Sequence, residues 1–350
     1  MAYELNVSLN TVDALKDAIV TFAVAQGWTL QVDEWPNFLQ LSNDACHINL
    51  RRNIITVDDD NGVERIDTEL QYHLSTGYNG VPATGTLKWW QQPDSLVAAS
   101  SSERYIRTND LTGPFQSVHF FAPDTGPKYI YVVIETLKNG NRGYFTHLFF
   151  GNLDKLGQSY SPGGAFATGT RYLWYGRSPY IDHFVNWDEE QHFMPFSYWN
   201  ANSRRTQHVR VDGALTGAKI RDDTILPLYF RANDQDSGPF TVGARSGGMS
   251  TLFPLGPNPL NGVSPMMAMP VIGQWGDSSS VYSMLGVLPD IRLISMKGRS
   301  AGEEIEFGAD TWICFPMRRN DPNGEYAVPP SPTIINTSGR YGFAIKKLDT

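Results

Sequence analysis

The sequence predicts a mainly β protein, with β-sandwich-like sheets, long loops and one N-terminal amphipathic helix. Three observations carry this. Short runs of β-branched and aromatic residues recur along the chain, most clearly "YIYVVIETL" at 129–137. Turn formers are abundant, with 32 Gly and 22 Pro, while only 18% of residues are charged. Helical periodicity occurs in one place only.

That place is near the start. Val12, Leu15, Ile19 and Phe22 recur at three and four and so share a helix face. Asn10 or Thr11 suits the N-cap, Asp13 the first turn, and Gly27 the stop. Strand signals follow in "FLQLS", "HINLRR" and "IITVD". "DDDNG" at 58–62 resembles a calcium loop in composition. With Gly62 at the loop glycine, however, Val57 falls at the first ligand position and Thr68 where a bidentate Glu belongs. A hairpin with Asn-Gly at its tip is the expectation.

The polar stretch "VAASSSERYIRTNDLTGP" at 97–114 reads as a linker or long loop. It suggests two regions: residues 1–110, a helix plus β region, and 111–350, a larger β-sandwich-like region. "TGPF" at 112–115 and "SGPF" at 237–240 share too little to make a repeat. Next, "YIYVVIETL" and "YFTHLFFG" flank "KNGN", which predicts a hairpin with Asn139-Gly140 at a two-residue tip. Apolar residues at alternate and adjacent positions predict burial of both its faces. Further strands are expected at "ILPLYFRA", "SVYSMLG", "IRLISM", "WICFPM" and "YGFAIKK".

Composition narrows function. Net charge is −8 and no basic run could track a phosphate backbone, which argues against nucleic acid and anionic membranes as partners. The apolar run at 18–25 is too short to span a bilayer. The N-terminus shows no basic or apolar leader pattern. Cys46 and Cys314 fit two buried thiols in a reducing cytoplasm rather than a disulfide framework.

Several residues could carry chemistry. His147, with Asp154 and Lys155 nearby, would need a partner within hydrogen-bond reach to act as an acid–base catalyst; in an apolar strand its ordinary role is structural. Asp182, His183, Asp188, Glu189, Glu190 and His192 form the densest set of metal-type ligands, without the spacing of a helical metal pair. Whether a metal binds there is left open. "GARSGG" at 243–248 lacks the Gly-x-Ser-x-Gly frame around Ser246. Gly163-Gly164 opens no amphipathic helix that would make a phosphate cradle. Glu303, Glu304, Glu306 and Asp310 cluster late in the chain; two facing carboxylates among them could hydrolyse glycan, but a charged hairpin is the ordinary explanation. No catalytic residue and no cofactor is assigned. The Pro- and Gly-rich stretch at 251–270 carries Met266, Met267 and Met269, which suit an irregular protein interface if the loop is exposed.

One stretch goes further. "YIYVVIETL…GYFTHLFFGNLDKLGQSYSPGGAFATG" resembles a pattern in virion structural proteins of tailed bacteriophages: a strand pair ending in His-x-x-Phe-Gly, a Lys-x-Gly loop, then a Gly-Gly-x-Phe turn. Here these are His147, Phe150, Gly151, Lys155, Gly157, Gly163, Gly164 and Phe166. The closing "GRYGFAIKK" and the opening helix ending in "QGWTL" are similar to theirs, so the resemblance spans most of the chain. It implies a structural tail, baseplate or neck protein, not an enzyme. Such a protein assembles in the host cytoplasm and works in the virion by contacting other virion proteins and copies of itself. The alternatives are a glycan-binding or glycan-cleaving tail protein, or a metalloenzyme using the cluster at 182–192.

Overall fold

In a computed structural model of the chain, the periodic segment folds as helix α1, Val12–Ala25. The structure describes residues 2–43, 46–58, 64–75, 77–80, 92–93, 106–108, 111–138, 142–155, 164–170, 207–211, 225–227, 257–274, 282–316, 327–328, 331–335 and 341–347. Thr11 is the N-cap, its hydroxyl accepting from Ala14 N–H at 3.1 Å. At the other end, Trp28 N–H donates to Ala23 O and Gly27 N–H to Val24 O, both at 3.0 Å. These are the two bonds of a Schellman stop, and Gly27 supplies the φ of +78° that it requires. Val12, Leu15, Ile19 and Phe22 are the buried face, as their spacing predicts.

Every other element among the described residues is a strand. In chain order these are β1 (Ala2–Asn6), β2 (Thr29–Glu34), β3 (Phe38–Ser42), β4 (His47–Asp58), β5 (Glu64–Ser75), β6 (Ile106–Thr108) and β7 (Ser117–Ala122). There follow β8 (Tyr129–Lys138), β9 (Arg142–Asn152), β10 (Asp154–Lys155), β11 (Gly164–Gly169), β12 (Gln207–Val211) and β13 (Ile225–Pro227). The last are β14 (Met266–Gln274), β15 (Tyr282–Ser295), β16 (Glu303–Phe307), β17 (Asp310–Pro316), β18 (Ala327–Val328), β19 (Ser331–Ile335) and β20 (Tyr341–Lys347).

They form three main antiparallel sheets. The first has the order β1-β7-β8-β9-β11-β12, the second β2-β3-β4-β5-β6, and the third β13-β14-β15-β20-β17-β16 with β10 also on β15. β18 and β19 pair separately. The first sheet lies in the middle. Along β8, Ile130, Val132 and Ile134 share one apolar cluster with α1 and the second sheet. Tyr129, Tyr131 and Val133 share another with Ile291, Ile313, Phe315 and Phe343 of the third. Period-two alternation thus gives one strand two cores, and Tyr129 through Ile134 are all fully buried. The double-sided burial expected of this hairpin is what the fold uses.

The expected division near residue 110 falls between β6 and β7. β1 reaches across it to pair with β7, Tyr3 opposite Phe121, and the core under α1 draws on both sides.

Three expectations are corrected. Lys138 pairs with Arg142, so the β8–β9 connection has three residues, not an Asn-Gly two-residue tip; those three lie outside the described residues. "HINLRR" and "IITVD" are one strand, β4, because Arg51 and Arg52 find partners instead of ending it. Arg52 donates to both carboxylate oxygens of Asp13 at 2.7 Å, and Arg51 Nε to Gln71 Oε1 at 2.6 Å. Met266, Met267 and Met269 belong to β14 rather than to an exposed loop. Met269 is 2% exposed in the core and Met267 packs against it. These methionines fill their own protein, since alternation along β14 turns Met267 and Met269 inward. The stretch 58–62 connects β4 to β5 as a hairpin with Asp58 opposite Glu64; its tip is outside the described residues.

Candidate functional site

Among the described residues, the polar side chains that converge are not those the sequence singles out. On the face of β7 turned to the third sheet, Ser117 and His119 are two residues apart. Glu135 of β8 stands opposite Ser117 in the strand register. Tyr3 enters from β1. Tyr3 Oη lies 3.0 Å from His119 Nδ1, His119 Nε2 lies 3.2 Å from Ser117 Oγ, and the Ser117 hydroxyl donates to Glu135 Oε2 at 3.0 Å.

The direction of these bonds follows from one proton. Ser117 has a single hydroxyl hydrogen, and the carboxylate can only accept it. Ser117 Oγ therefore accepts from His119 Nε2–H, which leaves Nδ1 to accept from the Tyr3 hydroxyl. A nucleophilic serine needs the reverse, its proton aimed at the imidazole. The arrangement is a four-residue clip that ties β1, β7 and β8 together, with His119 edge-on to the Phe315 ring at 4.7 Å between centroids. On the outer side, Lys347 lies 5.3 Å over the Tyr3 ring and donates to Glu304 at 2.6 Å.

Burial holds His119 neutral, lowering its pKa from 6.5 to about 4. Burial likewise raises the Tyr3 hydroxyl, with Lys347 lowering it and Glu304 raising it in lesser degree. The folded state disfavours imidazolium, so the unfolded chain binds the proton first as pH falls. Stability from this group is complete above pH 6.5, declines toward pH 4, and is flat below. The span is worth about 3 kcal/mol. Urea unfolding from pH 7 to pH 4 should show this loss in the wild type and a flatter profile in His119→Gln. Equal slopes in the two proteins would refute the assignment.

His147 is fully buried and its Nε2–H donates to Pro316 O at 3.0 Å. Its ring packs on Phe149 and Phe343. This is the structural role expected, joining the central sheet to the third. Asp154 is exposed; the Lys155 side chain is outside the described residues. The late acids are held singly: Glu303 by Arg299, Glu304 by Lys347 and Asp310 by Lys346, while Glu306 accepts from Thr311 Oγ1. They decorate the β16–β17 hairpin. Residues 171–206 and 228–256, with the cluster at 182–192 and Ser246, are outside the described residues, as is Gly163. Among the described residues no group of three His, Cys, Asp or Glu is placed to hold a metal ion. Cys46 and Cys314 are both buried, and burial pushes the Cys314 thiol up to about 12.

Two further polar sets were not legible in the sequence. Tyr129 and Tyr131 stack at 4.3 Å in the core and donate to Asp290 Oδ2 and Pro289 O, each at 2.6 Å. The face of the second sheet turned away from α1 is buried yet polar. There Gln40 donates to Asn49 Oδ1 at 2.6 Å, Asn49 to Ser75 Oγ at 2.9 Å, and Asn53 to Glu69 Oε1 at 2.9 Å. Alternation puts Ser117 beside His119 and Gln71 beside His73, a signal present in the sequence. Their partners, from Tyr3 to Glu135, come from strands far apart in the chain. No helix among the described residues is long and apolar enough to cross a membrane. No family model matches the chain, and no match to it was found among curated proteins.

Proposed function

We propose that this chain is a structural component of a bacteriophage virion, in the tail or baseplate, acting through contacts with other virion proteins and with copies of itself. The sequence resemblance names the setting; one structural observation supports assembly. Leu260 is 93% exposed at the tip of a turn that is held rigid. Asn258 N–H donates to Val263 O at 2.8 Å and Gly262 N–H to Asn258 O at 2.7 Å. Leu260 N–H donates to Asn258 Oδ1 at 2.9 Å. Arg299 braces the turn from below through Ser264 Oγ at 3.0 Å, Gly262 O and Glu303. A single exposed leucine is ordinary. One fixed by this many bonds has its ordering cost met before any partner arrives, which favours tight docking.

The cluster at 182–192, on which a metalloenzyme reading would rest, lies outside the described residues. The test is Leu260→Asp. Because the side chain is exposed, the unfolding midpoint should be unchanged, while incorporation into particles should fall about tenfold or more, the effect of one interface anchor. Incorporation at the wild-type level would overturn the proposal.

A further inference from the structure

β1 is the least secured strand of the central sheet. Among the described residues it pairs with β7 alone, at the end of the strand order. None of its five residues is buried, whereas all six of β7 are. The chain that follows is exposed at Val7 and Ser8. It is fixed again at Leu9, whose carbonyl accepts from Phe115 N–H at 3.1 Å. Beyond the ladder, β1 is fastened by Tyr3. The Tyr3 hydroxyl donates to His119 Nδ1 at 3.0 Å, its ring lies 5.1 Å from that of Phe121, and Lys347 covers its outer face.

The clip leaves a further proton one place to go. His119 Nε2 already carries hydrogen, because the Ser117 hydroxyl gives its own to Glu135. An incoming proton must bind Nδ1, the atom that accepts from Tyr3. Acid therefore acts on the bond that holds β1, while the bond from Ser117 to Glu135 needs no change. The imidazolium so formed lacks solvation. Phe315 of β17 lies edge-on to it and brings no charge. Glu135 of β8 reaches it through Ser117. Beyond Tyr3, Lys347 of β20 repels it, and Glu304 of β16 is already paired with Lys347. Water is what the cation needs, and a local opening takes the route of least cost. The buried strands on the other sides of His119 cannot part without breaking the core; the exposed edge strand can lift.

From this geometry we propose that β1 is an acid-released latch: protonation of His119 frees Ala2–Asn6 from β7 and bares the β7 edge, while the sheets beneath stay folded. This release does not depend on the chain being a virion protein. Its sign follows from linkage. Burial holds His119 at about 4 with the strand in place, against the ordinary 6.5 that contact with water restores. The open form therefore binds the proton first. Opening should rise as pH falls from 6.5 toward 4 and level off below, by on the order of 100-fold.

Hydrogen exchange of the full chain, read by mass spectrometry and corrected for the intrinsic effect of pH, measures this opening. Exchange within Ala2–Asn6 should accelerate about 100-fold between pH 7 and about pH 3.5, while Tyr129–Lys138 and Arg142–Asn152 stay protected. His119→Gln keeps a donor for Ser117 and an acceptor for Tyr3 but cannot titrate, so its β1 should show no such rise. Tyr3→Phe removes the fastening bond, so β1 should exchange about tenfold faster already at pH 7, with the β8–β9 hairpin unchanged. A β1 that stays protected in acid, β1 and the hairpin losing protection together, or the same acid rise in His119→Gln would overturn the proposal. If a variant does not fold, the wild type decides alone. Its β1 acceleration must level off at the pH where His119 titrates by NMR, and a rise continuing more than about one pH unit below that point would overturn the proposal as well.

Discussion

Gly151→Ala is expected to unfold the protein or to cost more than about 3 kcal/mol, measured by urea denaturation or, where the variant does not accumulate, by its soluble fraction. Gly151 sits opposite Tyr129 in the β8–β9 pair and has a φ of +148°. A Cβ there would lie 2.3 Å from Tyr129 Cα and 2.6 Å from Lys128 O. Those atoms are backbone at the start of β8, where Tyr129 is fully buried, and the packed core leaves them little room to shift. The next residue, Asn152, donates its N–H to Lys128 O at 2.8 Å, so the close approach is bonded in place. Gly126→Ala separates the two causes of cost. Its φ is +85° but nothing lies within 4 Å of the added Cβ, so it should lose only about 1 kcal/mol. Equal losses at the two positions would mean that backbone conformation, not close approach, sets the requirement. A Gly151→Ala protein as stable as wild type would contradict the β8–β9 register.

The same glycine explains part of the stretch that resembles phage structural proteins. In His-x-x-Phe-Gly, His147 reaches across to Pro316, Phe150 meets Trp28 edge-on at 5.3 Å on the opposite face, and Gly151 lets β8 approach. Phe166, from Gly-Gly-x-Phe, packs near Tyr131. His147, Phe150 and Phe166 thus each lie on one side or the other of the central sheet, while Gly157, Gly163 and the Lys155 side chain are outside the described residues. His147, Phe150, Gly151 and Phe166 read as the packing requirement of a strand buried on both faces.

What was legible in the sequence was local. α1 could be read because its period, cap and stop lie within 17 residues, from Thr11 to Gly27. The β8–β9 hairpin could be read because both strands are continuous and adjacent. β15 was split in two by Pro289-Asp290, and the structure shows a real irregularity there. Asp290 has a φ of 51°, and the register with β14 shifts between Ala268 and Pro270. Pairing holds on both sides of the break: β14 spans it, β20 pairs Ile291–Ser295 beyond it, and β10 pairs Gly286 and Val287 before it. β1 offered no signal: Ala2–Asn6 is short, partly exposed and paired 114 residues away, Leu5 to His119. Arg52 reads as a strand-ending charge until α1 brings Asp13 to it. The clip at His119 was hidden for the same reason. Its four residues come from three strands, and no spacing in the chain encodes which strands are neighbours.

Phe315→Ala tests whether the third sheet and the clip are one structure. Phe315 is fully buried on β17 and reaches into the central sheet, with ring centroids 4.7 Å from His119, 6.1 Å from Phe121 and 6.1 Å from Phe145. Truncation removes the ring from all three at once, and the rigid strands on either side cannot close the gap. A loss of about 3–5 kcal/mol is expected. The second readout is specific. The Phe315 ring is part of what keeps water from His119, so the cavity should admit solvent and ease the burial that holds this group near 4. Histidine titration by NMR should then place His119 closer to 6.5, and the acid destabilisation between pH 6.5 and pH 4 should shrink. His147 gives the internal control. Its ring lies against Phe343 and Phe149, not Phe315, and its Nε2–H bond is to the Pro316 backbone, so its signals should move far less. A large stability loss with an unmoved His119 would mean that the histidine is shielded by the central sheet alone. The clip would then belong to β1, β7 and β8, with no part in holding the third sheet.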